Sequence, residues 1–367
     1  MNRRTLALIS CLTLVAFARC SFAEATPSDT AQRIQAYLDS LAADNRLSGA
    51  ILVAKNGEPI ASKAAGVANR ETNTANTVET KFNLGSLNKS FTAVAVAQLA
   101  QKGRLTFDDT IARHLPDYPN KEVAEKVKIH HLLTHTSGMG SYWNDKFTAQ
   151  RAQLTTVAAH LPLFANEPLS FTPGDKFQYS NAGFMILGAI IEKVSGQNYY
   201  DYMRDNVFEP AGMMSTGFYE PGKPNSDVAI GYTRTDEHGE RTESERPDTN
   251  LREVRGGPAG GGYSTVGDML KFDIALHEGT LLDMEHTKIL LTGKVDAGGP
   301  IGKYAYGFSD KVFAGKHIVG HNGGGPGISA NFDMFPESGY TAILFMNADP
   351  PNMMPVVMKL RELIPAG

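Results

Sequence analysis

The sequence predicts an α/β protein of the α+β kind. An antiparallel sheet built from both ends of the chain is flanked by helices and interrupted by a mainly helical inserted domain. Two observations predict it: short strand-like segments gather near residues 49–65 and again over the last hundred residues, and apolar runs of helical character fill the middle. Ser28 is placed to cap a helix carrying Ile34, Tyr37, Leu38 and Leu41 on one face. Gly49–Lys55 and Pro59–Ala65 read as strands joined at Asn56-Gly57, a strong hairpin signal. Phe91–Gln101 is a helical run that stops at Gly103, and Ala182–Val194 is another that closes at Ser195-Gly196. Residues 220–260 are polar and rich in Pro and Gly, and read as loops; a helix over Val266–His277 follows. Ala305–Phe313, Lys316–His321, Ser329–Phe335 and Tyr340–Asn347 read as strands, with turns at Ala314-Gly315 and Ser338-Gly339 and a closing helix over Met353–Leu363. The expected division is a signal peptide over 1–23, an α/β domain from 24–85 and 255–367, and a mainly helical domain over 86–254.

Composition narrows the function. The chain has 367 residues, 42% hydrophobic and 20% charged, enough for a large core without a disulfide or metal staple. A net charge of −4 argues against a nucleic-acid partner, which calls for a basic surplus. Residues 1–23 read as an export signal: Arg3 and Arg4, an apolar stretch Leu6–Phe17, and small residues at Ser21-Phe22-Ala23. That stretch is shorter than the ~20 residues a spanning helix takes, so no stable membrane anchor is expected. Cys11 and Cys20, the two cysteines, leave with the signal; neither sits well for lipid attachment, and the mature chain has no thiol nucleophile. A cysteine-free exported protein points to a bacterial periplasmic or secreted location.

Several chemistries lack their motif. There is no Gly-x-Ser-x-Gly elbow, no phosphate-binding P-loop and no His-Glu-x-x-His pair. His131 and His135 lie four apart, but no carboxylate is placed with them, so a hydrogen-bonded structural role is expected rather than metal binding. The Gly256–Gly262 run follows no evident strand and reads as a tight turn before a helix.

Ser86 and Lys89 stand out. Three residues apart on a helix, they share one face. A lysine held neutral in a desolvated pocket can take the proton of a serine hydroxyl and make it a nucleophile. Gly85-Ser86 opens an apolar helix, where unpaired backbone N–H groups favour the negative charge an acyl-transfer site develops. Taken alone, the segment fits a helix cap and a solvated lysine equally well.

The wider chain resembles the serine β-lactamase and penicillin-binding protein superfamily, in particular the branch of class C β-lactamases, D-Ala-D-Ala carboxypeptidases, D-aminopeptidases and family VIII esterases. Three elements in order carry the resemblance: Ser86-x-x-Lys89, a Tyr-x-Asn, and a Lys/His/Trp-x-Gly on a strand. Tyr-x-Asn occurs at Tyr118, Tyr142 and Tyr179, and the third is chosen because a Pro173-Gly174 turn precedes it and an apolar helix follows. His321-Asn322-Gly323 is preferred to His277-Glu278-Gly279 because His321 ends a predicted strand. Leu132–Gly138 and Gly260–Thr265 are also typical of the family, and the match spans roughly residues 30–350.

The resemblance implies Ser86 as acylated nucleophile, Lys89 and Tyr179 as proton-transfer pair, and Asn181 orienting Lys89 and meeting substrate. His321 and Gly323 would bind substrate, and the backbone N–H groups of Ser86 and Gly324 would hold the oxyanion. Which of Lys89 and Tyr179 is the base stays open, since a phenol of pKa ~10 serves only if cations lower it or if it relays a proton. His321 stands where β-lactamases usually carry lysine, and a histidine of pKa ~6.5 is largely neutral above pH 7. That shifts the expected substrates from β-lactams toward esters and D-amino-acid peptides or amides. The expectation is a serine hydrolase with no metal and no organic cofactor; a non-turning penicillin sensor and an acyltransferase are the alternatives.

Overall fold

The structure, a computed structural model, describes residues 27–220, 227–236, 239–248, 254–349 and 352–367. The expected signal peptide with both cysteines lies outside them. Eight strands form the main sheet: β1 (Gly49–Lys55), β2 (Glu58–Ala65), β3 (Val295–Gly298), β4 (Gly302–Tyr304), β5 (Ser309–Phe313), β6 (Lys316–Gly325), β7 (Ile328–Phe335) and β8 (Tyr340–Met346). Their spatial order is β2-β1-β8-β7-β6-β5-β4-β3, every neighbouring pair antiparallel. The first two strands come from the N-terminal side and six from the C-terminal side, so the sheet is built from both ends as predicted. The hairpin joining β1 to β2 has positive φ at Asn56 (51°) and Gly57 (80°), the conformation that an Asn-Gly turn supplies at low cost.

Both faces of the sheet are covered. Ile51 and Val53 of β1 pack with Ile34 and Leu38 of α1 (Pro27–Ala43) and with Val356 and Leu360 of the C-terminal helix. Their neighbours Ala50, Leu52 and Ala54 point the other way into the larger core, with Phe91, Phe272, Phe332 and Phe345. Burial on both sides explains why β1 is a continuous apolar run rather than an alternating one. The helix α2 (Lys89–Gln101) is buried from Lys89 to Leu99 and therefore carries no polar stripe. α3 (Asn181–Ser195) ends at Gly196 with φ 78°, a left-handed cap.

Some sequence expectations shift. The first helix begins at Pro27, so Ser28 lies inside its first turn rather than capping it. Of the predicted strand Ala305–Phe313 only Ser309–Phe313 (β5) is strand; residues 305–308 form the turn that follows β4, and in it Gly307 has φ 75°. A Cβ on Gly307 would stand 2.9 Å from the Lys89 carbonyl oxygen, so this turn is pressed against α2. The polar region read as loops holds a two-stranded ribbon, Tyr232–Thr235 with Arg241–Pro247. Helix Met284–Leu291 and edge strand β3 were not anticipated. Among the described residues no helix is long and apolar enough to cross a membrane.

Candidate active site

Ser86 sits, half-buried, in a single tight turn, Gly85–Asn88, that runs straight into α2. Gly85 opens it at φ 49°, and its N–H donates to Asn83 Oδ1 at 2.9 Å. The turn rests on β6: a Cβ on Gly323 would lie 1.8 Å from the Leu84 carbonyl oxygen, and one on Gly85 would lie 3.0 Å from Gly324 N. Glycine at 323 and 85 is what lets strand and turn touch.

One helical turn on, the fully buried Lys89 reaches back, its Nζ 3.2 Å from Ser86 Oγ and 2.8 Å from Asn181 Oδ1. A third bond goes to the Ala259 carbonyl. Asn181 is placed by the start of α3, where Ser180 caps the helix by accepting from Gly183 N at 3.0 Å. The Tyr179 hydroxyl is hydrogen-bonded to Ser86, and its ring lies over Lys89 Nζ at 4.8 Å. One side of that ring is open to solvent, 37% exposed, while burial of the hydroxyl end raises the phenol above its ordinary value against the opposing Ser86 bond. Serine, lysine, tyrosine and asparagine thus meet at one point.

His321 is placed differently from the sequence expectation. β6 continues to Gly325, so His321 is mid-strand, 6% exposed, with Nε2 2.8 Å from Tyr304 Oη and Nδ1 2.6 Å from the Asn322 carbonyl. Burial, the largest cause, pushes it down to about 3. Buried and hydrogen-bonded at both ring nitrogens, the imidazole is held toward its neutral form.

A cavity of about 370 Å³ opens on this cluster. Ser86, Tyr179, Asn181 and Gly324 line it; Gly323 and His321 do not. Its apolar lining includes Tyr142, Trp143, Tyr219, Tyr263, Pro326 and Ile328. A family profile described as Beta-lactamase matches residues 31–364.

The chain belongs to the Beta-lactamase family.

It is 29% identical over 329 residues to a penicillin-binding protein of Bacillus subtilis, spanning 87% of this chain and 72% of that one. It is 35% identical over 203 residues to esterase EstB of Burkholderia gladioli, about half (51%) of each chain. Among solved structures, a penicillin binding protein from Bacillus halodurans superposes with TM-score 0.79 at 33% identity, covering 88% of this chain and 99% of that one. As a Beta-lactamase family member the protein is a serine hydrolase.

The other Tyr-x-Asn segments have different tasks. Asn120 and Asn144 cap short helices through Val123 N and Phe147 N, Tyr118 is buried elsewhere, and Tyr142 forms cavity wall. His277 ends a helix and pairs with Asp273 at 2.9 Å. His131 Nδ1 is held 3.2 Å from Lys128 N, and both ring nitrogens of His135 are engaged within the protein. Sequence reasoning missed the loop that holds Lys89. The carbonyls of Gly257, Pro258 and Ala259 accept from Asn88, Thr92 and Lys89 in turn. The glycine run was the available signal, because Gly260 and Gly262 lie where a side chain would strike Gly85 and Asn88.

Proposed function

We propose that the protein hydrolyses small neutral esters or amides through an acyl-enzyme on Ser86. The observation that carries this is the contact of Lys89 Nζ with Ser86 Oγ, beside the Tyr179 hydroxyl, at the wall of an apolar cavity. A neutral amine has two N–H bonds and one lone pair. The Ala259 carbonyl and Asn181 Oδ1 are acceptors and take both N–H bonds, which leaves the lone pair for the Ser86 hydroxyl proton. Lys89 is therefore the base in this reading, and Tyr179, whose phenol is raised rather than lowered, relays a proton.

Ser86 Oγ attacks the substrate carbonyl while its proton passes to Lys89. The oxyanion is held by the N–H groups of Ser86 and Gly324. Collapse breaks the bond to the leaving group, which takes a proton through Tyr179, itself resupplied from Lys89. Water then attacks the acyl carbonyl, gives its proton to the same pair, and frees Ser86. A neutral His321 supplies no cation for a substrate carboxylate, which supports neutral esters and D-amino-acid amides over β-lactams. Cleavage of the signal after Ala23, giving a mature chain that begins at Glu24 in the periplasm or outside the cell, completes the proposal.

The test is a panel of p-nitrophenyl esters, D-amino-acid anilides and a chromogenic cephalosporin, with intact mass followed over time. Highest kcat/KM on the neutral esters or anilides is expected. A permanent penicillin adduct without turnover would replace the reading with a sensor.

A further inference from the structure

We propose that His135 is the positioning residue for Tyr179, and that Tyr304 couples it through His321 to the strand carrying Gly324. The inference rests on the proposed role of the Ser86 site. His135 grips the segment before α3 at three places. Its carbonyl accepts from Gln178 N at 2.8 Å, its Nδ1 accepts from Ser180 N at 3.0 Å, and its ring packs on Tyr179 with centroids 4.1 Å apart. Its backbone sits at φ 58°, a conformation that a side chain of this size rarely adopts and that the fold must hold in place.

From His135 a buried chain of hydrogen bonds runs to β6. His135 Nε2 is 3.1 Å from Tyr304 Oη, which is 2.8 Å from His321 Nε2, and His321 Nδ1 is 2.6 Å from the Asn322 carbonyl. The two ends fix its direction. Ser180 N can only donate, so His135 Nδ1 is bare and Nε2 carries the hydrogen. The Asn322 carbonyl can only accept, so His321 carries its hydrogen on Nδ1, and Tyr304 donates to the bare Nε2. Every link is satisfied with both histidines neutral, and burial holds both below their ordinary value. The chain ties the proton-transfer tyrosine to the strand two residues before the oxyanion N–H.

Ring-nitrogen NMR of histidine-labelled protein reads the chain directly, with signals assigned by their loss in variants. His135 is expected protonated on Nε2 and His321 on Nδ1; the opposite tautomer in either overturns the proposal. Tyr304→Phe cuts the chain with little change of volume. His135→Asn keeps an acceptor near the Nδ1 position and tolerates positive φ, but removes the ring. Each is expected to lower kcat on p-nitrophenyl butyrate roughly 10- to 100-fold with KM within about 2-fold, because misplacing a reacting group costs turnover rather than binding. Fluorophosphonate labelling of Ser86 should slow in parallel. Should His135→Asn fail to fold, Tyr304→Phe decides. Wild-type kcat in Tyr304→Phe, or equal losses through kcat and KM, would overturn the coupling. If the wild-type protein does not label at Ser86, the reading of the site fails, while the tautomers still decide the chain.

Discussion

Burial settles the charge of His321 before any substrate arrives. With the imidazole held near a pKa of about 3, the ring is neutral at every working pH. KM for a carboxylate-bearing ester is therefore expected to stay flat between about pH 6 and 8, like that of a neutral ester. A rise in KM centred near pH 6.5 for the carboxylate substrate alone would show His321 binding it as a cation. Ser86→Ala is expected to remove ester hydrolysis by roughly three orders of magnitude or more with the fold intact, since it deletes the hydroxyl that Lys89 Nζ contacts at 3.2 Å. Ser86 and Lys89 were flagged in the sequence by their three-residue spacing, which fits a helix cap equally well. Tyr179 and Asn181 were singled out only through the resemblance to the β-lactamase superfamily; the structure brings the four side chains together. His135 and Tyr304 were not legible as site residues. Their partners lie 45 and 169 positions away in the chain, and no local pattern encodes such a meeting.

Among the elements, β6 shows how a reading fails for a physical reason. Its glycines disfavour a strand by propensity, so the predicted strand stopped at His321. The strand runs on to Gly325 because Gly323 must lie bare against Leu84 for the Ser86 turn to dock. Gly323→Ala would place a methyl 1.8 Å from the Leu84 carbonyl oxygen and push strand and turn apart. It is expected to cost about 1–3 kcal/mol in denaturant unfolding, together with most of the activity. A variant of wild-type stability and rate would mean that the strand does not brace the turn. The helices α2 and α3 were readable nearly to the residue because left-handed glycines, Gly103 and Gly196, punctuate them. The ribbon at 232–247 was not, because its second strand is mostly exposed and shows no apolar alternation.

Across the whole molecule, histidine burial sets an acid limit. His130, His131, His135 and His321 are all held below the ordinary value by burial, His131 down to about 4. Unfolded, they titrate near 6.5, so below that pH the unfolded chain takes up protons that the folded chain refuses. Their contribution to stability is complete above about pH 6.5 and drains as pH falls toward 4 and below. His277, raised by its bond to Asp273, and His317, raised by Glu337 and Asp310 against its desolvation, act oppositely: they stabilise at low pH and lose that as pH rises through their folded values. The larger set dominates, so Tm should fall steeply between about pH 6.5 and 4, and less steeply in His131→Gln. A Tm constant over that range would contradict the protonation states assigned to these buried rings.

Time-resolved intact mass during hydrolysis of p-nitrophenyl butyrate bears most directly on the gathering of Ser86, Lys89 and Tyr179 into one acyl-transfer site. The expected record is a single butyryl increment that rises, decays with turnover and maps to the peptide containing Ser86. An increment on any other residue, or a Ser86→Ala protein that turns over at the wild-type rate, would contradict it.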